Sequence, residues 1–217
     1  MKRAKLLMLA AALVALGPRA ARADRGALTL EIGPALTWWP SHAPPVGSGP
    51  GVSGTAFGGI GGLRYALSNN VELSATGFYE APASYTFPGV SLTSGGTPLN
   101  GTLEATISRW GALAGARYVT GLVWRLHVGA EVGWSHQSAT KLDLLNVSNP
   151  GSPQSYGLGI PNTNENAFVL APLLGLEWLL ADHWTVALVP RVEIALGSVT
   201  QVAVVVPLTV GYSFYLR

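Results

Sequence analysis

The sequence contains no cysteine, and that absence removes several classes of protein at once. A disulfide framework, a thiolate metal site and a cysteine nucleophile are excluded, as is the lipidated cysteine that anchors a bacterial lipoprotein. Charge is scarce as well: Asp, Glu, Lys and Arg make up 11% of the chain, against 48% hydrophobic residues and a mean hydropathy of +0.33. Yet past the N-terminus no uncharged apolar stretch reaches the roughly 18 residues that a membrane-spanning helix requires. The sequence also lacks a P-loop, paired-histidine metal spacing, a Gly-x-Ser-x-Gly elbow and a dinucleotide fingerprint, so neither metal nor cofactor is expected.

What is present begins with Lys2, Arg3 and Lys5, followed by an apolar run from Leu6 to Gly17, then Pro18 and Ala21-Arg22-Ala23. This order reads as a secretory signal peptide over residues 1–23, cleaved before Asp24. Its removal takes away five of the 13 basic residues and none of the 11 acidic ones, leaving a net charge of −3. The basic pI of the full sequence therefore belongs to the targeting segment, and a nucleic-acid partner is not expected.

The remainder, residues 24–217, repeats with period two. In the last segment Val202, Val204, Val206, Leu208, Val210, Tyr212, Phe214 and Leu216 alternate with Gln201, Ala203, Val205, Pro207, Thr209, Gly211, Ser213 and Tyr215. Such alternation marks strands. Eight strands are expected, at about 27–39, 56–67, 71–80, 102–119, 122–138, 166–180, 183–196 and 201–216. In the fourth, the apolar phase moves from Leu103, Ala105 and Ile107 to Trp110, Ala112, Ala114, Ala116 and Tyr118, which suggests a bulge near Ser108 and Arg109. Short turns at 68–70, 120–121 and 181–182 alternate with long connections at 40–55, 81–101 and 139–165, the last Asn- and Pro-rich and expected to be a polar, mobile loop. Only the connection at 197–200 is short on the long-loop side.

One strand face is greasy and the other collects Glu31, Arg64, Glu72, Arg117, Arg125, His127, Glu131, Glu177, Arg191 and Glu193. A soluble barrel, the competing reading for location, would turn its polar face to water and its apolar face inward. Here no helix is available to cover the greasy face, so lipid is expected outside and the ionic cluster inside, with the inward Gly33, Gly58, Gly62, Gly115, Gly129 and Gly133 making room for long side chains. The expected fold is all-β, an eight-stranded antiparallel up-and-down transmembrane β-barrel. Tyr65, Tyr118, Trp124, Trp178, Trp184, Tyr212 and Phe214 near the short turns, and Trp38, Phe57, Tyr79, Trp134 and Phe168 near the long loops, are expected to form two interfacial aromatic girdles. Pro34, Pro172, Pro190 and Pro207, all expected to face outward, suggest a weakened wall through which an apolar ligand enters sideways.

With these strands, girdles and an aromatic-bearing last strand, the chain resembles the small outer-membrane barrels of Gram-negative bacteria, the family that includes the membrane domain of outer membrane protein A. In that family the last strand finishes in an aromatic residue; this chain carries Tyr212, Phe214 and Tyr215 but ends in Leu216-Arg217. The resemblance implies a monomer in the outer membrane, partnered by its lipids and, during biogenesis, by the barrel-insertion machinery. A structural or surface-binding role without catalysis is expected, with a lipid-active acyl hydrolase or a narrow small-solute channel as alternatives. The hydrolase reading rests on His136-Gln137-Ser138, which is similar to the His-x-Ser of outer-membrane lipid A deacylases and implies His136 as base, Ser138 as nucleophile and an acidic third partner.

Overall fold

Alternating side chains in long, β-rich segments leave the backbone one way to satisfy its hydrogen bonds, which is to pair with its sequence neighbours. The computed structural model describes residues 25–94, 97–148, 158–180 and 183–215. Its strands are β1 (Ala27–His42), β2 (Val52–Ala66), β3 (Val71–Ser94), β4 (Thr97–Gly121), β5 (Trp124–Ser148), β6 (Leu158–Ile160), β7 (Thr163–Leu179), β8 (Trp184–Leu188), β9 (Arg191–Leu196) and β10 (Thr200–Tyr215). Strands β1 to β5 pair in sequence order, β5 pairs with β7, β7 with β8 and β9, these with β10, and β10 returns to β1. Every pairing is antiparallel, so the ring closes on itself with eight walls and no open edge within it. Strands β8 and β9 are two halves of one wall, and β6 is a short addition to β5.

Alternation fixes which face looks where. Along β7, Val169, Ala171, Leu173, Gly175 and Glu177 are buried while Phe168, Leu170, Pro172, Leu174, Leu176 and Trp178 are exposed. Across the barrel the large apolar residues lie outside, Ile32 at 73% and Phe57 at 71% exposure, whereas Glu131, Glu177 and Glu193 are at 1% or less. Water does not tolerate a belt of this extent, but hydrocarbon does.

Strands β3, β4 and β5 rise well beyond the other walls, and there the polarity of the two faces reverses. Inward-facing Tyr85, Phe87, Val90, Leu103, Ala105, Ile107, Ala139, Leu142 and Leu144 form an apolar cluster. Exposed on the opposite face are Ser84, Thr86, Glu104 and Asp143. This reversal corrects two expectations. Strand β4 keeps one register against β5 from Ile107 through Arg117, so no bulge lies at Ser108 or Arg109; the irregularity is in β3, between Glu80 and Ala83. What resembled a phase slip is the passage from lipid to water, where the apolar residues change sides. The segments 81–101 and 139–165 are likewise not polar loops over most of their length, because Leu92↔Leu99, Leu103↔Leu144 and Leu142↔Ile160 carry strand pairing through them. Residues 1–24, with the expected signal peptide, and residues 149–157, with Asn149, Pro150 and Pro153, lie outside the described residues, as does Leu216.

The prolines also need correcting. Pro34 and Pro172 face outward, Pro190 is half-buried, but Pro207 is buried and faces the lumen. Pairing stops between Ile32 and Ala35 on the β1–β10 seam, between Leu188 and Arg191 against β10, and between Leu170 and Leu173 on the β7–β9 seam. Each missing donor removes a rung, and the gaps fall on three adjacent seams.

The inward glycines do less to house long side chains than to admit neighbouring backbone. A Cβ on Gly115 would strike the carbonyl oxygen of Ala130, and one on Gly133 the carbonyl oxygen of Ala112. Outward Gly61 is different, since its nearest neighbour would be the carbonyl oxygen of Glu31 at 3.7 Å. Gly115→Ala is therefore expected to destabilise the barrel by about 1–3 kcal/mol, and Gly61→Ala to leave it unchanged. The readout is the heat-modifiable gel shift and urea midpoint of each variant in detergent.

His42 ends β1 inside the extension, with ring centroids 4.7 Å from Trp39, 5.0 Å from Tyr85 and 6.1 Å from Phe87. Burial among these rings, with the Arg109 guanidinium adding to it, pushes its pKa below the ordinary 6.5 against the opposing hydrogen bond with the carbonyl of Ala43 and the charge of Glu165. Because the folded chain holds fewer protons here than the unfolded one, the His42 contribution is intact above about pH 6.5 and is lost as pH falls toward the lowered value. Amide protection factors over 83–94 and 97–107, referred to the intrinsic exchange rate at each pH, are expected to fall between pH 7.5 and 5 while those of the barrel amides hold, and His42→Phe to abolish that pH dependence.

Candidate functional site

A strand that spans lipid must place its charges inward, and an inward charge without a partner is costly. The structure resolves this by joining nearly all of them. Near the short turns, Glu177 on β7 contacts Arg64 on β2, Arg125 on β5 at 3.4 Å and His127 Nε2 at 3.8 Å. Arg64 also reaches Glu72 at 3.1 Å and Glu31 at 3.0 Å. Arg117 bridges Glu31 at 3.5 Å and Glu131 at 2.8 Å, and Ser74 Oγ donates to Glu131 at 2.7 Å. Arg191 then links Glu131 at 3.5 Å to Glu193 at 2.7 Å, and Arg109 links Glu193 to Glu80, which also accepts from Thr37 Oγ1 at 2.9 Å.

All ten residues of the sequence-read interior cluster thus line the lumen, Arg125 least deeply. Two members escaped that reading. Glu80 and Arg109 are buried at the extended end, where Arg109 also stacks on Trp39 and Phe78, each 4.8 Å from the ring centre. Their period-two spacing from Glu72 and Arg117 was the available signal; the supposed bulge hid it for Arg109, whereas Glu80 closes the expected third strand in phase with Glu72. Among the described residues the network holds six carboxylates and five guanidiniums. It leaves little space: an internal pocket lined by Glu31, Arg117, Glu131 and Arg191 holds about 10 Å³, no more than one water.

No protein-family profile and no curated protein matches the sequence. Solved structures do match in shape. Ail of Yersinia pestis, crystallised with the heparin analogue sucrose octasulfate, aligns with a TM-score of 0.53 at 14% identity, over 88% of this chain and 99% of that one. The outer membrane protein OprG of Pseudomonas aeruginosa gives 0.53 at 12% identity over 90% and 99%, and Neisserial surface protein A gives 0.51 at 13% over 88% and 100%. The chain has the fold of the small outer-membrane β-barrels.

In such a barrel the outer wall carries the aromatic residues. Trp38, Tyr65, Tyr118, Trp124, Trp134, Trp178, Trp184 and Phe214 are exposed, with Tyr212 partly so. Near the short turns Trp124 stacks on Trp178 at 5.4 Å and Trp184 meets Tyr212 edge-on at 4.9 Å. At the opposite level Trp110, absent from the expected girdle, meets Trp134 at 4.7 Å. Trp39, the neighbour of Trp38, is instead buried in the lumen.

His136 and Ser138 share the outward face of β5 just above Trp134. The imidazole Nδ1 lies 2.9 Å from Asn166 Oδ1, and its ring lies 5.7 Å from Trp110. Ser138 stands across from Ser108 on β4 and Asn164 on β7. An amide orients an imidazole but does not offset the charge of an imidazolium, and among the described residues no carboxylate pairs with His136.

Because Glu193 contacts both Arg109 and Arg191, removing its carboxylate takes a partner from two buried cations at once. Glu193→Ala, which leaves Arg109 and Arg191 buried and short of a partner, is expected to cost about 3–5 kcal/mol. Urea unfolding in lipid vesicles measures it, and Glu104→Ala on the exposed face serves as the control with no comparable change.

Proposed function

We propose that this chain is an integral outer-membrane protein of a Gram-negative bacterium, monomeric and non-catalytic, whose barrel is a sealed post for a binding surface outside the cell. Its partners are outer-membrane lipids around the wall and the insertion machinery during biogenesis. The extended end faces the exterior, as the long connections of such barrels do. The observation that carries this reading is the filled lumen: an ion-pair network runs through the membrane level, and an apolar cluster caps part of it above. At the level of Glu31, Arg117, Glu131 and Arg191 the internal pocket holds about 10 Å³, too little for a solute to pass.

The extended end is ill suited to a polyanion of the kind held in the Ail complex, a sulfated heparin analogue. Between Trp39 and Gly58, Ala81 and Ser108, Gln137 and Glu165, and Gly197 and Thr200, the sequence has Lys141 as its one lysine or arginine, against Glu104, Asp143 and Glu165. A sulfated polyanion meets net repulsion there, so a neutral or cationic partner is favoured. Reconstituted into planar bilayers, the mature chain is expected to give no steady conductance above the bare membrane. Resolved, voltage-stable channel openings would overturn the sealed-barrel reading in favour of the narrow channel.

A further inference from the structure

Inside the extended mouth, between β5, β7 and the 197–199 turn, lies a cavity of about 190 Å³ lined by Gln137, Thr163, Asn164, Glu165 and Ser198. A smaller pocket continues beneath it, sharing Gln137 and Glu165 and reaching Ser135, Arg109 and Gln201. We propose that this stepped cavity is a binding site for a small polyhydroxylated amine, of which an amino sugar is the simplest chemical example. The inference rests on the outward orientation of this end argued above.

Three observations assign the ligand class. At the floor, Arg109 Nη1 and Gln201 Oε1 are buried without a hydrogen-bond partner, in side chains 2% and 8% exposed. One is a donor and the other an acceptor, and a hydroxyl group meets both needs because it accepts and donates at one atom. Leaving each unmet carries the desolvation penalty of a buried polar group. At the rim, Glu165 Oε1 accepts from the Ser198 N–H and Oγ, both at 2.6 Å, which fixes the carboxylate. Among the described residues Glu165 makes no ion pair, so its charge is available to a ligand.

The third observation is the sign of the surroundings. The network below has one more carboxylate than guanidiniums, and Lys141 is the one basic residue set against the three acids of the extended end. An ammonium is drawn to this mouth and an anion is not. A metal ion fits poorly, since Glu165 is the one carboxylate among the described residues lining the cavity, and no cluster of three or more metal-ligating side chains is present among them. Gln137, Thr163, Asn164 and Ser198 supply the neutral donors and acceptors that recognise ring hydroxyls.

The test uses glucosamine and glucose, which share a ring and differ in one amine, titrated against the detergent-solubilised mature chain by saturation-transfer NMR. Saturable glucosamine binding is expected, with glucose about tenfold weaker. Glu165→Gln should erase that preference, and Gln201→Leu should weaken both sugars. Absence of glucosamine binding, or a preference that survives Glu165→Gln, overturns the site while the heat-modifiable band of the same sample keeps the barrel reading intact. Loss of that band in the wild-type chain would instead count against the barrel itself and remove the site with it.

Discussion

The structure depends on one constraint: along each strand the solvent decides which face is apolar, and this chain meets two solvents in succession. At the level of β7 and β9 the outside is hydrocarbon, so Leu170, Leu174 and Val192 face out and Glu177, Arg191 and Glu193 face in. A few residues higher on β3, β4 and β5 the outside is water, and Tyr85, Leu103 and Leu144 turn inward while Thr86, Glu104 and Asp143 turn out. The backbone does not change; β4 passes from Ile107 to Arg109 to Leu113 on one face without interruption. The membrane boundary is therefore written in the inner face as sharply as in the aromatic girdle.

Ion pairs replace apolar packing as the main filling of the barrel because eight walls enclose about one side-chain layer, and lipid-facing strands offer only their polar face to it. Linking matters more than the number of charges. Glu31, Glu131, Glu177 and Glu193 each contact at least two cations on different strands, and Glu72 and Glu80 add β3, so the network ties β1, β2, β3, β4, β5, β7 and β9 together across the lumen. This cross-bracing coexists with a ladder that prolines interrupt on three adjacent seams. Where rungs are missing, Arg191 beside Pro190 holds its wall through Glu131 and Glu193 instead.

Most of the fold was legible because period-two alternation is a local signal: Val202 to Phe214 or Trp184 to Leu196 declare their faces without reference to the rest of the chain. The errors came where that signal needed outside knowledge. Ile107 and Trp110 are both apolar but face opposite sides of the wall, one the interior cluster and the other the outside, and nothing in their identities says that the membrane ends between them. The same blindness turned Leu92, Leu99, Leu142 and Leu144 into loop residues and hid Arg109. Glycine was misjudged for a related reason, since the sequence shows that Gly115 lacks a side chain but not that the Ala130 carbonyl occupies its place. The mouth site was illegible altogether, because Arg109, Gln137, Glu165 and Gln201 are brought together only by barrel closure.

Closure also explains why that mouth is left polar while the adjoining extension is apolar. Strands β3, β4 and β5 are long enough to cover their own inner face with the 43–51 segment and with His42. The β7 and β9 walls stop lower, at Thr163 and Leu196. Side chains on that half of the rim therefore border water, and Glu165 is held by Ser198 rather than sealed in a cluster. Among the described residues the asymmetry between a capped half and an open half follows the difference in strand length. It places the open half directly above Arg109, the outermost cation of the lumen network.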